Sequence, residues 1–262
     1  MIIYFDISAL CILGLMIFSV FFRKMYRGKT NLLFILLQVI SAIMVVCDLF
    51  NVHFREVGDC DMGLQIANYM YLIAYSALPF VYGFYILNLM DIKHLLKGNT
   101  KLKAALFLPF CTNFFFLATN IWTGLLFKLN NGNFEVGPYC FILPICSIAA
   151  MIVGFKLVLK YRKLLSKIKI VSLLCLYFGT MLSTIIQYVN SELVIASFVV
   201  TLCLLLVLIV VQRPEERVEL LTGLESYGAY MQDIDRVFYT EKPICYLIVD
   251  ISNFSTFNSI LS

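Results

Sequence analysis

Apolar residues in this chain run in long blocks instead of alternating with polar ones. Seven such blocks fall at about 2–22, 31–50, 67–90, 104–125, 139–160, 170–189 and 193–212, separated by short polar stretches. Each approaches the ~20 residues that a helix needs to cross a hydrocarbon layer. Continuous runs favour helices, which satisfy their own backbone in lipid, over the short alternating strands of a membrane barrel. The pattern changes after Gln212. Arg213-Pro214-Glu215-Glu216 breaks the last run with charge and a proline. Within 226–239, Tyr227, Tyr230, Met231, Ile234, Val237 and Phe238 follow the spacing of an amphipathic helix. Lys242-Pro243 marks a turn. Ile244 to Val249 then reads as a buried strand that ends on Asp250, and Asn253 to Ser262 as the start of another helix.

Composition agrees with the blocks. The chain is 61% hydrophobic and 14% charged, with a mean hydropathy of +0.91, against ~45–50% and ~25% in soluble domains. A lipid bilayer is therefore the expected surrounding, and no nucleic-acid partner is expected.

The positions of the positive charges say more than the net +4. Arg23, Lys24, Arg27 and Lys29 follow the first block. Lys93, Lys97, Lys101 and Lys103 follow the third. Lys156, Lys160, Arg162, Lys163, Lys167 and Lys169 surround the fifth connection, and Arg213 and Arg217 follow the last block. The intervening connections hold only Arg55 and Lys128. This bias predicts an outside N-terminus and a cytoplasmic C-terminus. The first block has no basic region before it and no A-x-A cleavage site, so it reads as a retained anchor. The expected fold is an all-α membrane protein with seven transmembrane helices, N-out and C-in, followed by a truncated α/β fragment in a cell membrane.

Several seven-helix chemistries lack their residues. A retinal protein needs a lysine in its last helix, and 193–212 has none. An intramembrane serine protease needs a histidine at depth, yet His53 and His94 lie in connections. Pro79, Pro109 and Pro144 interrupt three blocks, as broken helices of transporters do, but no internal repeat accompanies them. A sensor fits best, because the membrane part leads directly into the polar tail. The alternative is a non-enzymatic polytopic protein, such as a transporter, with a fortuitous tail.

Polar residues inside the blocks are the candidates for a ligand pocket. Asp6 and Asp48 are acids in apolar segments, where charge is costly and often functional; their positions near the block ends also fit interfacial solvation or capping. Tyr71, Tyr75, Tyr82 and Tyr85 share one helical face and line up with Asn68. The bland reading of this stripe is helix packing with hydroxyls bonded across the bundle. Asn113, Asn120 and Gln187 receive the same reading. Of nine cysteines, only Cys60 and Cys140 lie in or beside the outside connections, where a disulfide between them is one reading and two free thiols the other. No CxxC or Cys/His cluster points to a metal.

The tail carries a resemblance. Glu219-Leu-Leu-Thr-Gly-Leu resembles the D-x-L-T-G-L entrance of GGDEF domains, which make cyclic di-GMP from two GTP. Asp250-Ile-Ser-Asn-Phe-Ser-Thr-Phe-Asn258-Ser resembles that family's D-I-D-x-F-K-x-I-N-D strand end. The resemblance covers about 219–262, after a linker at 213–218. The membrane part, 1–212, is similar in layout to seven-helix sensor modules on bacterial diguanylate cyclases and histidine kinases.

The resemblance implies that Asp250 is a Mg²⁺ ligand, that Asn258 contacts the guanine of GTP, and that two copies pair as a homodimer. Phe254 matches a structural aromatic. Ser252, Ser255 and Ser259 stand where the family carries Asp, Lys and Asp; Glu219 and Ser226-Tyr227 also depart from its pattern. The implied output is thus either a diguanylate cyclase or a degenerate regulator of a phosphodiesterase domain. The tail holds one strand and no GG[DE]EF turn, and it is shorter than the ~100–150 residues of a typical domain. It is expected to be the front edge of its output domain and to catalyse nothing by itself.

Overall fold

The computed structural model describes residues 2–22, 29–57, 61–92, 95–130, 133–189 and 195–212, with only isolated residues beyond. The chain forms α1 (Ile2–Phe22), α2 (Lys29–Val57), α3 (Asp61–Leu89), the single turn α4 (Leu95–Gly98), α5 (Thr100–Thr123), strands β1 (Phe127–Asn130) and β2 (Asn133–Val136), α6 (Ile142–Lys160), α7 (Lys167–Val189) and α8 (Ala196–Val210). Short connections make consecutive long helices run up and down. One end of the bundle carries the β-hairpin; among the described residues, Lys101, Lys103, Lys160 and Lys167 lie toward the other.

Six helices, α1, α2, α3, α5, α6 and α7, are long and apolar enough to cross a membrane. The chain is thus a multi-pass, all-α membrane protein. The last block differs from its sequence reading of 193–212. Among the described residues it is helical over Ala196–Val210, 15 residues, or about 22 Å at 1.5 Å per residue. Pro144 also departs from expectation. It lies in the first turn of α6, where a missing N–H costs nothing. Pro79 and Pro109 do sit inside α3 and α5.

Helix α3 is the hub. It packs against α2, α5 and α6, while α8 closes against α1, α2 and α7. Tyr82, Tyr85, Tyr177, Phe34, Leu37 and Ile86 are all but inaccessible and belong to one core cluster. Large apolar residues such as Phe18, Phe115, Trp122 and Phe178 are exposed on the outside of the bundle. In a membrane, that outward apolar surface meets lipid.

The hairpin is pinned by a side chain from α5. Gly124 ends that helix in the left-handed region, φ 59°, and returns its N–H to Asn120 O at 2.9 Å. Asn120 Oδ1 accepts from the Leu126 and Phe127 amides at 2.7 and 3.4 Å. Its Nδ2 donates to the Tyr69 hydroxyl and to Phe127 O. β1 and β2 then pair antiparallel from Phe127↔Val136 to Asn130↔Asn133. Asn120 is therefore a structural anchor of the hairpin, as well as bonding across to Tyr69 of α3.

Candidate functional site

The tyrosine stripe of α3 divides into two parts. Tyr82 and Tyr85 are buried and bonded. The Tyr82 hydroxyl donates to Leu173 O of α7 at 3.0 Å, and its ring lies 4.8 Å from that of Tyr177. The Tyr85 hydroxyl accepts from Gln212 Nε2 at 3.1 Å, just past the end of α8. Phe34 of α2 packs on the same ring at 5.8 Å.

Tyr71 and Tyr75, three and two turns before Tyr82 toward the hairpin end, open onto a cavity. Their rings stack with centroids 6.3 Å apart. The space has a volume of about 160 Å³ and is completed by Leu72, Leu143, Pro144, Cys140 and Thr184. The Tyr75 hydroxyl donates to Thr184 Oγ1 at 3.2 Å, and Thr184 donates onward to Thr180 O at 2.8 Å. Pro79 lacks the N–H that would otherwise bond the Tyr75 carbonyl, so this turn of α3 is locally loosened. The Ser147 hydroxyl of α6 is buried beside Tyr75 but does not line the cavity. No charged side chain lines the cavity.

The remaining sequence candidates lie apart from it. Asn68 is one turn from Tyr71 on α3 and buried; its Nδ2 makes no hydrogen bond, and it does not line the cavity. Asp6 and Asp48 belong to the contact of α1, α2 and α8. Asp6 is fully buried, and neither of its carboxyl oxygens is hydrogen-bonded. Asp48 accepts from the Ser197 hydroxyl of α8. One turn deeper, Ala9, Leu13 and Val45 form a small core with Phe198 against it. Burial thus replaces the interfacial solvation expected for Asp6. Among the described residues, no group of three His, Cys, Asp or Glu side chains is placed to hold a metal.

Cys140 is half-buried in the cavity wall; Cys60, its expected partner, lies outside the described residues. Asp250 and Asn258 also lie outside them, as does nearly all of 213–262. Thr184, Ser147 and Gln212 are the residues that sequence reasoning passed over. Thr180, Ser183 and Thr184 sit at helical spacing in α7 and were the available signal for a polar face there. No protein-family model, curated protein or solved structure matches the chain.

Proposed function

We propose that the chain is a membrane-bound signalling receptor that passes an external or membrane-borne signal to a cytoplasmic GGDEF-type domain in cyclic di-GMP signalling. The observation that carries the receptor half is the placement of one helix between a cavity and the exit of the chain. Helix α3 presents Tyr75 to the cavity near the hairpin end. Three turns further on, the same helix presents Tyr85 to Gln212, directly before the polar tail. A ligand that moved Tyr75 against Thr184 would shift α3 relative to α7. Tyr82, bonded to Leu173 of α7, and Tyr85, bonded to Gln212, would feel the same shift. The element with two arrangements is then the α3–α7–α8 contact, and a ligand biases it by preferring one arrangement.

The output half rests on the two tail motifs and their spacing. In this reading α8 is the seventh span and the tail is cytoplasmic, as the Lys and Arg bias predicts. Asp250 would supply one of the one or two carboxylates that Mg²⁺ takes beside nucleotide phosphates, and Asn258 would contact guanine. Two copies, each with GTP, would meet for turnover.

The test is cyclic di-GMP formation by membranes carrying the full-length protein, together with an Asp250→Asn variant. The exchange keeps the side chain's size and removes the charge facing the metal. Turnover that is abolished by Asp250→Asn, with membrane insertion unchanged, supports a catalytic output. A protein that binds GTP–Mg²⁺ through Asp250 without turning it over supports the degenerate regulator. Equal cyclic di-GMP production by both proteins removes the role given to Asp250.

A further inference from the structure

A second space adjoins the cavity at Tyr75. It has a volume of about 190 Å³, shares the wall residues Pro144 and Thr184 with the cavity, and is otherwise walled by Phe141, Ile145, Ile148 and Ile185. Ile145 and Ile185 are 58% and 48% exposed on the outside of the bundle. The lipid-facing groove between α6 and α7 thus abuts the cavity wall at Pro144 and Thr184. It carries no charge anywhere along its walls. A charged ligand would lose its hydration there without compensation.

Size and hydrogen bonding narrow the class. An apolar cavity of ~150 Å³ in another protein accommodates benzene, so one ring or a short chain matches the inner space. At its polar edge the Tyr75 hydroxyl spends its proton on Thr184, and Thr184 spends its own on Thr180 O. Both oxygens keep a lone pair. A single ligand hydroxyl answers them: it donates to Tyr75 or Thr184.

We infer that this cavity binds an uncharged lipophilic alcohol or phenol that enters from the bilayer between α6 and α7. Its ring or chain rests on Leu143 and Pro144, and its hydroxyl lies between Tyr75 and Thr184. This names the ligand class of the receptor proposed above and depends on that reading only for its biological purpose.

The experiment is photolabelling of the full chain in native membranes with a phenol bearing a trifluoromethyl-diazirine, followed by mass mapping. Label is expected on the segment around 140–148 and at Thr184. It should be competed by propylphenol, and about two- to tenfold less well by propylbenzene at matched membrane concentration, the range for one hydrogen bond of ~0.5–1.5 kcal/mol. Thr184→Val, which keeps the shape of the side chain and removes its hydroxyl, should shrink that difference. Label at exposed Phe178 on the lipid face should resist both competitors. The inference is overturned if label at 140–148 and Thr184 resists propylphenol as label at Phe178 does. It is equally overturned if propylbenzene competes as well as propylphenol in the unaltered protein. No signalling output enters these readings, so a failure here is separable from a failure of the receptor proposal.

Discussion

Gln212 Nε2 donates to the Tyr85 hydroxyl at 3.1 Å, tying the residues just past α8 to the middle of the core. Both groups are buried. Tyr85 also stacks near Tyr82, with ring centroids 6.0 Å apart, and Tyr82 holds Leu173 O of α7. The chain thus leaves the bundle from a point fixed to α3 and, through it, to α7. A buried amide that loses its partner carries a desolvation cost of ~1–3 kcal/mol.

Tyr85→Phe should therefore lower stability by about 1–2 kcal/mol, because it strands the Gln212 amide in a buried place. Gln212→Leu, which removes the stranded group, should cost less, and the double variant should resemble Gln212→Leu alone. Thermal unfolding of the purified protein in detergent checks this order. Full additivity of the two single changes would mean that the pair does not interact. If the receptor reading holds, both variants should also alter the response of the output domain to ligand while leaving ligand binding in place.

Gly154 of α6 receives the Tyr177 side chain of α7 directly over its Cα. A Cβ built there would fall 1.8 Å from the Tyr177 hydroxyl oxygen and 2.6 Å from its ring carbon. Tyr177 is buried among Tyr82 and the core of α7, so it has nowhere to retreat. Gly154→Ala should destabilise the bundle by about 1–3 kcal/mol through overpacking, despite alanine's better helix propensity. Adding Tyr177→Phe removes the nearest atom and should recover part of the loss. Tyr177→Phe alone should be close to neutral, since the hydroxyl it deletes is buried without a hydrogen-bond partner. Unfolding midpoints for the three variants decide; no recovery in the double variant would place the clash elsewhere.

Asn120 serves both the end of α5 and the start of the hairpin. Asn120→Ala frees the Leu126 and Phe127 amides and the Tyr69 hydroxyl at once. About 1–3 kcal/mol of local stability should go with them, concentrated in 125–136. Hydrogen exchange should show faster exchange across β1 and β2 and little change in α3 or α7. Asn120→Asp retains the acceptor for both amides and should be the milder change. Uniform acceleration over all helices would instead make Asn120 a determinant of the whole bundle.

The sequence made the helices legible and the partners within them illegible, for one physical reason. Uninterrupted apolar runs announce a span, but a helix that is apolar all round does not reveal which face it buries. Asp6 illustrates this: its position near a block end read as interfacial, while its face also carries Ala9 and Leu13, which pack on α2 and α8. The α3 stripe was readable because tyrosine is rare enough among aliphatic neighbours to show its spacing. Thr184 and Gln212, the groups that answer Tyr75 and Tyr85, come from 109 and 127 residues away, beyond any local pattern. The hairpin was missed although Asn131-Gly132 between Phe-Lys-Leu and Phe-Glu-Val is a strong two-residue turn signal. The hydropathy of the flanking blocks drew the boundary of the fourth run too far, to 125, past the helix end at Thr123.

The number of crossings turns on α8. Its 15 helical residues span about 22 Å, less than the ~30 Å of hydrocarbon, whereas the other six candidates have 19 to 28 residues. The charges on either side still differ: Arg213 and Arg217 follow it, and 190–195 contain no Lys or Arg. Local thinning of the bilayer, or snorkelling of the flanking arginines, accommodates a short span at a fraction of a kcal/mol per Å. A reporter active only in the cytoplasm should therefore work when fused after Lys29, Lys103, Lys169 or Arg217. It should stay silent after Asp61, Asn133 or Asn190. The decisive pair is Asn190 and Arg217. Silence at Asn190 and activity at Arg217 makes α8 a seventh crossing and puts the tail with the basic connections. Silence at both positions makes α8 a helix that dips into the membrane and returns. The tail would then lie on the side of the hairpin, away from any cytoplasmic GTP, and the proposed output could not operate.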